Sequence, residues 1–244
     1  MRLSTVPSMR RRSMSSIANE RTLEALRRHL PSSSSGRLLE VGSGTGANLS
    51  AAALAFRNWH IQPSDVDTSL LPKIATAAEQ WSNVMAPVLL DAAAPAEDWP
   101  VEPPFDCILA VNFCHYAPTQ ATRGLFLGAD RLLRPGGMLC IYGPFLQGAG
   151  LQRSLSSRVF NMALWLQSSE YGLRGLNELN EASMTTQLTC SAFETVHGKD
   201  VLHGADAGVF FVGFTKQTTV PPAAANRAKP RRPGSRGRKA GRRK

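Results

Sequence analysis

The sequence predicts a doubly wound α/β fold, with a mostly parallel seven-stranded sheet that ends in a C-terminal antiparallel hairpin. Three observations predict it. Apolar runs of strand length alternate with helix-spaced segments from about residue 15 to residue 145. The first such run, Leu38-Leu39-Glu40-Val41, breaks into glycines at alternate positions, Gly42, Gly44 and Gly46, before an Ala/Leu-rich stretch. The last two strand-like runs, 193–201 and 209–215, have only a Gly/Asp turn region between them.

Residues 15–30 place Ile17, Leu23, Leu26 and Leu30 at helical spacing, and Pro31 stops the helix. The first strand follows the Ser32–Gly36 tract, and its helix spans 47–56. Residues 59–65 read as the second strand, in which Pro63 implies a strand end or a bulge. A helix capped within Val66–Ser69 runs to about Trp81. Residues 84–90 form a third strand, placed at an edge by Pro87 and ending at Asp91. The fourth strand, 105–111, is nearly all apolar and exits at Asn112. A helix over 119–133 leads through Pro135-Gly136-Gly137 to the fifth strand, 138–142. Helices over 155–166 and 176–184 precede the hairpin. In such a fold the crossovers are right-handed. A ligand lies beyond the carboxyl ends of the strands, where strand order reverses. The glycine loop, Asp65, Asp91 and Asn112 all fall at such ends.

The 244 residues suffice for one domain with a sizeable core. The predicted organisation is a basic disordered leader over 1–16, a domain over 17–216 and a basic disordered tail over 217–244. The formal charge of +10 is unevenly placed. Residues 1–16 hold four arginines and 227–244 hold ten Lys or Arg, neither with an acid. Residues 17–226 hold fourteen basic and eighteen acidic side chains, so the folded part is mildly acidic. The tail suits non-specific contact with RNA or another polyanion, or a nuclear address; no aromatic is interleaved for base stacking. The Arg/Ser-rich leader has the composition of a mitochondrial transit peptide, or of a leader with no address. The compartment is therefore open among cytoplasm, nucleus and mitochondrion. No apolar run approaches the about 18 residues that span a bilayer, so no membrane partner is expected. Cys107, Cys114, Cys140 and Cys190 lack metal-ligand spacing, and no metal is expected.

Glycine takes positive φ without strain and lets a ligand lie against the backbone. Gly42, Ser43, Gly44 and Gly46 thus form a nucleotide-type cradle. The spacing Gly42-x-Gly44-x-x-Ala47 fits a dinucleotide as well as S-adenosylmethionine (SAM). Glu40 before the loop, Asp65 after the second strand and the Pro-Gly-Gly turn favour SAM. Glu40 holds the ligand's amino group or braces the loop. Asp65 accepts from the ribose hydroxyls or caps the next helix. Asp91 accepts from the adenine amino group or forms a surface turn. Asn112 lines the pocket between cofactor and acceptor, or is structural. His115 is the candidate general base, against a hydrogen-bonded structural histidine. Tyr142 and Phe145 are expected to shape the acceptor pocket. Residues 146–190 form a lid or an ordinary cover helix.

These motifs resemble the class I SAM-dependent methyltransferases, with their Rossmann-like fold. A closer resemblance, to the methyltransferase-like 26 family (also catalogued as a domain of unknown function), rests on Trp59 with Gln62-Pro63-Ser64-Asp65-Val66-Asp67. It rests also on Asn112-Phe113-Cys114-His115-Tyr116-Ala117-Pro118, Gly124-Leu125-Phe126 and Tyr142-Gly143-Pro144-Phe145, with a weaker echo in Tyr171-Gly172-Leu173-Arg174. It covers about residues 15–216. The chain departs from that pattern at Phe160-Asn161, where Phe-Asp is expected, and at Gly204–Ala207, which lacks paired asparagines. The resemblance implies a SAM-binding fold with no assigned substrate. The leading reading is methyl transfer from SAM to a small-molecule acceptor. The alternatives are a SAM-binding regulatory or scaffold protein, a methyltransferase on RNA or ribosomal protein tethered by the tail, and a nicotinamide dehydrogenase.

Overall fold

The computed structural model describes residues 14–30, 35–147, 155–196 and 207–218. The leader up to residue 13, the tail from 219, the turn region 197–206 with most of the Gly204–Ala207 departure, and residues 148–154 of the insert lie outside the described residues.

Helix α1 (Met14–His29) precedes strand β1 (Gly36–Val41), followed by α2 (Leu49–Ala55), β2 (Trp59–Asp65), α3 (Leu71–Ala78) and β3 (Val88–Leu89). Next come β4 (Phe105–Val111), α4 (Thr119–Leu132), β5 (Leu133–Leu146), α5 (Leu155–Trp165), β6 (Arg174–Gly175), α6 (Leu176–Ser183), β7 (Leu188–Val196) and β8 (Ala207–Lys216). The sheet order is β3-β2-β1-β4-β5-β8-β7, and β6 adds a two-residue parallel contact to β5. Strands β1 to β5 run parallel, whereas β8 is antiparallel to both β5 and β7. This is the predicted mostly parallel fold with its antiparallel end.

Apolar strands covered on both faces explain the architecture. Leu38, Cys107, Leu109 and Cys140 pack with Leu26 of α1, Leu49 of α2 and Ile74 of α3. Their neighbours Leu39, Ile108, Ala110 and Ile141 pack on the other face with Leu125 of α4 and Leu179 of α6. Strand alternation sends successive side chains to opposite cores. Each fully buried leucine among them stabilises the fold by about 1.5–3 kcal/mol.

Several element boundaries differ from expectation for local reasons. Strand β3 keeps only two residues plus an isolated bridge from Ile61 to Val84. Pro63 lies between that bridge and the Ser64–Val88 pair, where β2 has no N–H to offer. The Gln62 side chain fills the gap, donating from Nε2 to the carbonyls of Pro63 (3.0 Å) and Ala86 (2.7 Å). Strand β5 starts at Leu133 rather than 138, with the Pro-Gly-Gly turn as a bulge inside it. Phe105 pairs with Leu133 but Cys107 with Met138, and Gly136 takes φ 77° at the bend. Strand β7 begins five residues before the predicted Phe193, and β6 was not expected at all.

Strand order reverses between β2 and β4 on either side of β1. The loops after β1 and β4 therefore part from each other and leave a crevice above the sheet.

Candidate functional site

The crevice is a cleft of about 700 Å³. Its floor is the glycine loop. Gly42, Gly44 and Gly46 have φ of 74°, 59° and 76°, which accounts for glycine at each alternate position. The N–H groups of Gly42 and Ser43 both donate to Ser64 O, at 3.0 and 2.8 Å. The Gly44 N–H donates to Asp65 Oδ2 at 2.8 Å, while Asp65 Oδ1 accepts from the Asp67 N–H at 3.0 Å. Asp65 therefore fastens the loop to the end of β2 and keeps spare lone pairs facing the cleft. A Cβ built on Gly44 would meet nothing within 4 Å, so the loop presents an open surface there.

Glu40 is buried beneath the loop. Its Oε2 accepts from Ser43 Oγ at 2.8 Å and its Oε1 from Asn48 Nδ2 at 3.2 Å. Burial raises its pKa above the ordinary carboxylate value, and the Ser43 and Asn48 bonds partly oppose that rise. Ser64 completes the brace, with its Oγ donating to Glu40 O at 2.7 Å. Asn48 lines the cleft at the start of α2, and its buried Oδ1 has no hydrogen-bond partner among the described residues.

Asp91 lines the far wall with Ala92 and Ala93, its Oδ1 accepting from the Ala93 N–H at 2.8 Å. Asn112 lines the cleft at the end of β4 with φ 55°, and its N–H donates to Tyr142 O at 2.7 Å. Asparagine tolerates this left-handed conformation better than most residues. Gly42, Ser43, Gly44, Asp65, Asp91 and Asn112 thus come together around one cleft, with Glu40 and Gly46 supporting the loop from below.

Three expected residues lie elsewhere. His115 is buried off the cleft, its ring 4.5 Å from Tyr116 and 5.9 Å from Phe160. Burial, and then the nearby Arg174 charge, lowers its pKa from 6.5 to about 4. The imidazole packs on Tyr116 and does not line the cleft. Tyr142 and Phe145 are also buried, in opposite cores, because β5 continues to Leu146 and alternates its side chains past the predicted end. Neither lines the cleft.

The structure adds residues that the sequence reading passed over. Phe113 reaches across from the β4 exit onto Gly42, where a Cβ would lie 2.8 Å from its Cδ2. Ser168, Glu170 and Tyr171, from the stretch after α5, form part of the cleft wall. Tyr171 stands edge-on to Tyr116, with centroids 5.8 Å apart and planes at 86°. Arg174 secures this stretch, donating from Nε to Cys114 O (3.2 Å) and from one terminal nitrogen to Ala117 O (2.6 Å) and Glu170 O (2.8 Å). Asn161 Oδ1 accepts from the Leu173 N–H at 2.7 Å, which an aspartate could equally do. Tyr171 stood among the aromatic residues of the possible lid, with Phe160 and Trp165, and Tyr171 and Arg174 both stood in the weaker motif echo.

A family model described as "Protein of unknown function (DUF938)" matches residues 10–196. Solved structures with this fold include geranyl diphosphate C-methyltransferase from Streptomyces coelicolor A3(2), in complex with Mg2+, geranyl diphosphate and S-adenosyl-L-homocysteine (SAH). That structure is 13% identical, with 81% of this chain and 80% of that one covered at a TM-score of 0.63. The YcgJ protein from Bacillus subtilis is 13% identical, covering 82% and 99% at 0.60. The CurJ carbon methyltransferase is 18% identical, covering 84% of this chain and 54% of that one at 0.57. At these identities the likeness is one of fold, that of SAM-dependent methyltransferases.

Proposed function

The chain belongs to the DUF938 family of proteins of unknown function, and from that premise we propose that it is a SAM-dependent methyltransferase with a small-molecule acceptor. The observation that carries this reading is the Gly44–Asp65 lock beside an open glycine surface at the point where strand order reverses. The donor set fits the cofactor. Asp65 retains acceptor capacity for a ribose diol, Asp91 on the cleft wall would accept from an adenine amino group, and the Asn48 Oδ1, without a partner among the described residues, suits an ammonium donor. When bound, SAM supplies an activated methyl group on a sulfonium centre, so the chain's own work is binding, orientation and exclusion of water. The glycine loop would hold the ligand by backbone contact. Ser168, Glu170 and Tyr171 line the cleft, which supports the lid reading of the stretch after α5. The Gln62–Asp67 motif supports a relation to the methyltransferase-like 26 family as well.

Calorimetric titration with SAM, SAH and NADH tests the reading. Binding of both adenosyl ligands and none of NADH is expected, with Asp65→Ala weakening SAH at least about tenfold through loss of a charged acceptor. NADH binding without SAM would replace the proposal with a dehydrogenase. SAH binding without methyl transfer to any component of a metabolite extract would favour a non-catalytic regulatory protein.

A further inference from the structure

The charge on the cleft wall is one-sided. Asp65, Asp67, Asp91 and Glu170 line it, and among the described residues none of those lining it is Lys, Arg or His. Arg174, in the same stretch as Glu170 and Tyr171, spends its guanidinium on three backbone carbonyls. Asp65 and Asp91 have places in the proposed cofactor site, and Asp67 Oδ1 accepts from the Ser69 N–H at 2.8 Å. Glu170 has no such use: its backbone N–H and carbonyl are engaged, but no hydrogen bond or ion pair holds its exposed carboxylate among the described residues. The Tyr116 and Tyr171 rings line the same cleft, with Tyr116 46% exposed. Aromatic faces next to an uncommitted carboxylate recognise an organic cation, through the ring quadrupole and the opposite charge. A phosphate or carboxylate brought into the cleft meets a wall with four like charges and, among the described residues lining it, no cationic side chain.

We propose that the entrance formed by Tyr116, Tyr171 and Glu170 is the acceptor subsite, that the acceptor is an organic amine, and that phosphorylated or carboxylate-bearing acceptors are refused. This rests on the cofactor reading above. In the transfer, the ammonium first sheds a proton to bulk water. The free amine nitrogen then bonds to the methyl carbon, whose bond to sulfur breaks with its electron pair left on sulfur. The same charge pattern excludes a nucleic-acid backbone from the cleft, whatever the terminal tail binds.

The test uses the full chain saturated with SAH, titrated with phenethylamine and with its near-isostere 3-phenylpropionate. Phenethylamine is expected to bind at least about tenfold more tightly, with a preference that shrinks as salt rises. Glu170→Gln and Tyr171→Leu should each weaken the amine about fivefold while SAH affinity stays within about twofold. Equal binding of the two probes, tighter binding of the carboxylate, no amine binding at millimolar concentration, or Glu170→Gln and Tyr171→Leu variants that bind the amine unchanged would each overturn the subsite while leaving the cofactor reading intact. Failure of SAH itself to bind overturns both, and is seen before either probe is added.

Discussion

Gly44 and Gly46 share a positive φ but face different surroundings, and this separates their roles. A Cβ on Gly46 would lie 2.9 Å from the Ala77 Cβ, so alanine there adds a clash with α3 to the backbone strain. Gly46→Ala should cost about 2 kcal/mol and lower Tm by about 4–8 °C. Gly44→Ala carries strain without a clash and puts its methyl group in the cleft. Its Tm should fall about half as far, while SAH affinity falls more than in Gly46→Ala; thermal melts and titrations of the two variants decide the point. His115 makes a pH prediction. Its folded pKa of about 4 lies below the 6.5 of the free side chain, so the unfolded chain takes up the proton first on acidification. Stability is therefore complete above about pH 6.5 and is lost between there and about 4, by on the order of 3 kcal/mol. Buried Glu40 acts in the opposite sense, since its raised pKa favours the folded state as pH falls. In His115→Gln the urea midpoint should fall less between pH 7 and pH 4.5 than in the parent. Parallel pH curves would show that His115 does not contribute.

Helix α4 connects the core to the cleft wall. A Cβ on Gly124 would fall inside the van der Waals envelope of the Ala92 carbonyl oxygen, so only glycine lets the helix lie this close to the Asp91–Ala93 turn. One turn earlier, Gln120 Nε2 donates to Ala93 O at 3.2 Å. The helix thus serves as a template for the wall that Asp91 belongs to. Gly124→Ala should lose both stability and SAH affinity. Gln120→Ala, which removes one exposed hydrogen bond, should weaken SAH about threefold with little change in Tm. A normal SAH affinity in both variants would detach α4 from ligand binding. Gly124-Leu125-Phe126 was legible as a motif, but its reason was not, because the carbonyl it approaches lies 32 positions earlier in the chain.

Across the whole molecule, charge divides between an acidic cleft and basic ends. The cleft carries four carboxylates, whereas residues 227–244 carry ten cationic side chains and no acid. Binding of a polyanion by such a tail depends on counterion release and so weakens steeply with salt. Deleting 227–244 should abolish most retention on RNA at low salt and leave SAH affinity unchanged. Unchanged retention would move any polyanion site onto the folded domain.

The sequence by itself determined the α/β fold, the glycine loop and the carboxylates at the strand ends. These follow from local requirements: side-chain period, positive φ, and the positions of glycine and proline. Only the tertiary structure decided what surrounds them. His115 lies off the cleft, packed against Tyr116 and Phe160 of α5, and Tyr142 and Phe145 left it because β5 pairs with β8 beyond its expected end. Ser64 and Phe113 gained roles through partners on the β1 side of the cleft, Glu40 and Gly42. Glu170 and Tyr171 reach the cleft only because Arg174 bonds to carbonyls 57 and 60 residues away. Such contacts join segments far apart in the chain, and no periodicity within either segment encodes them.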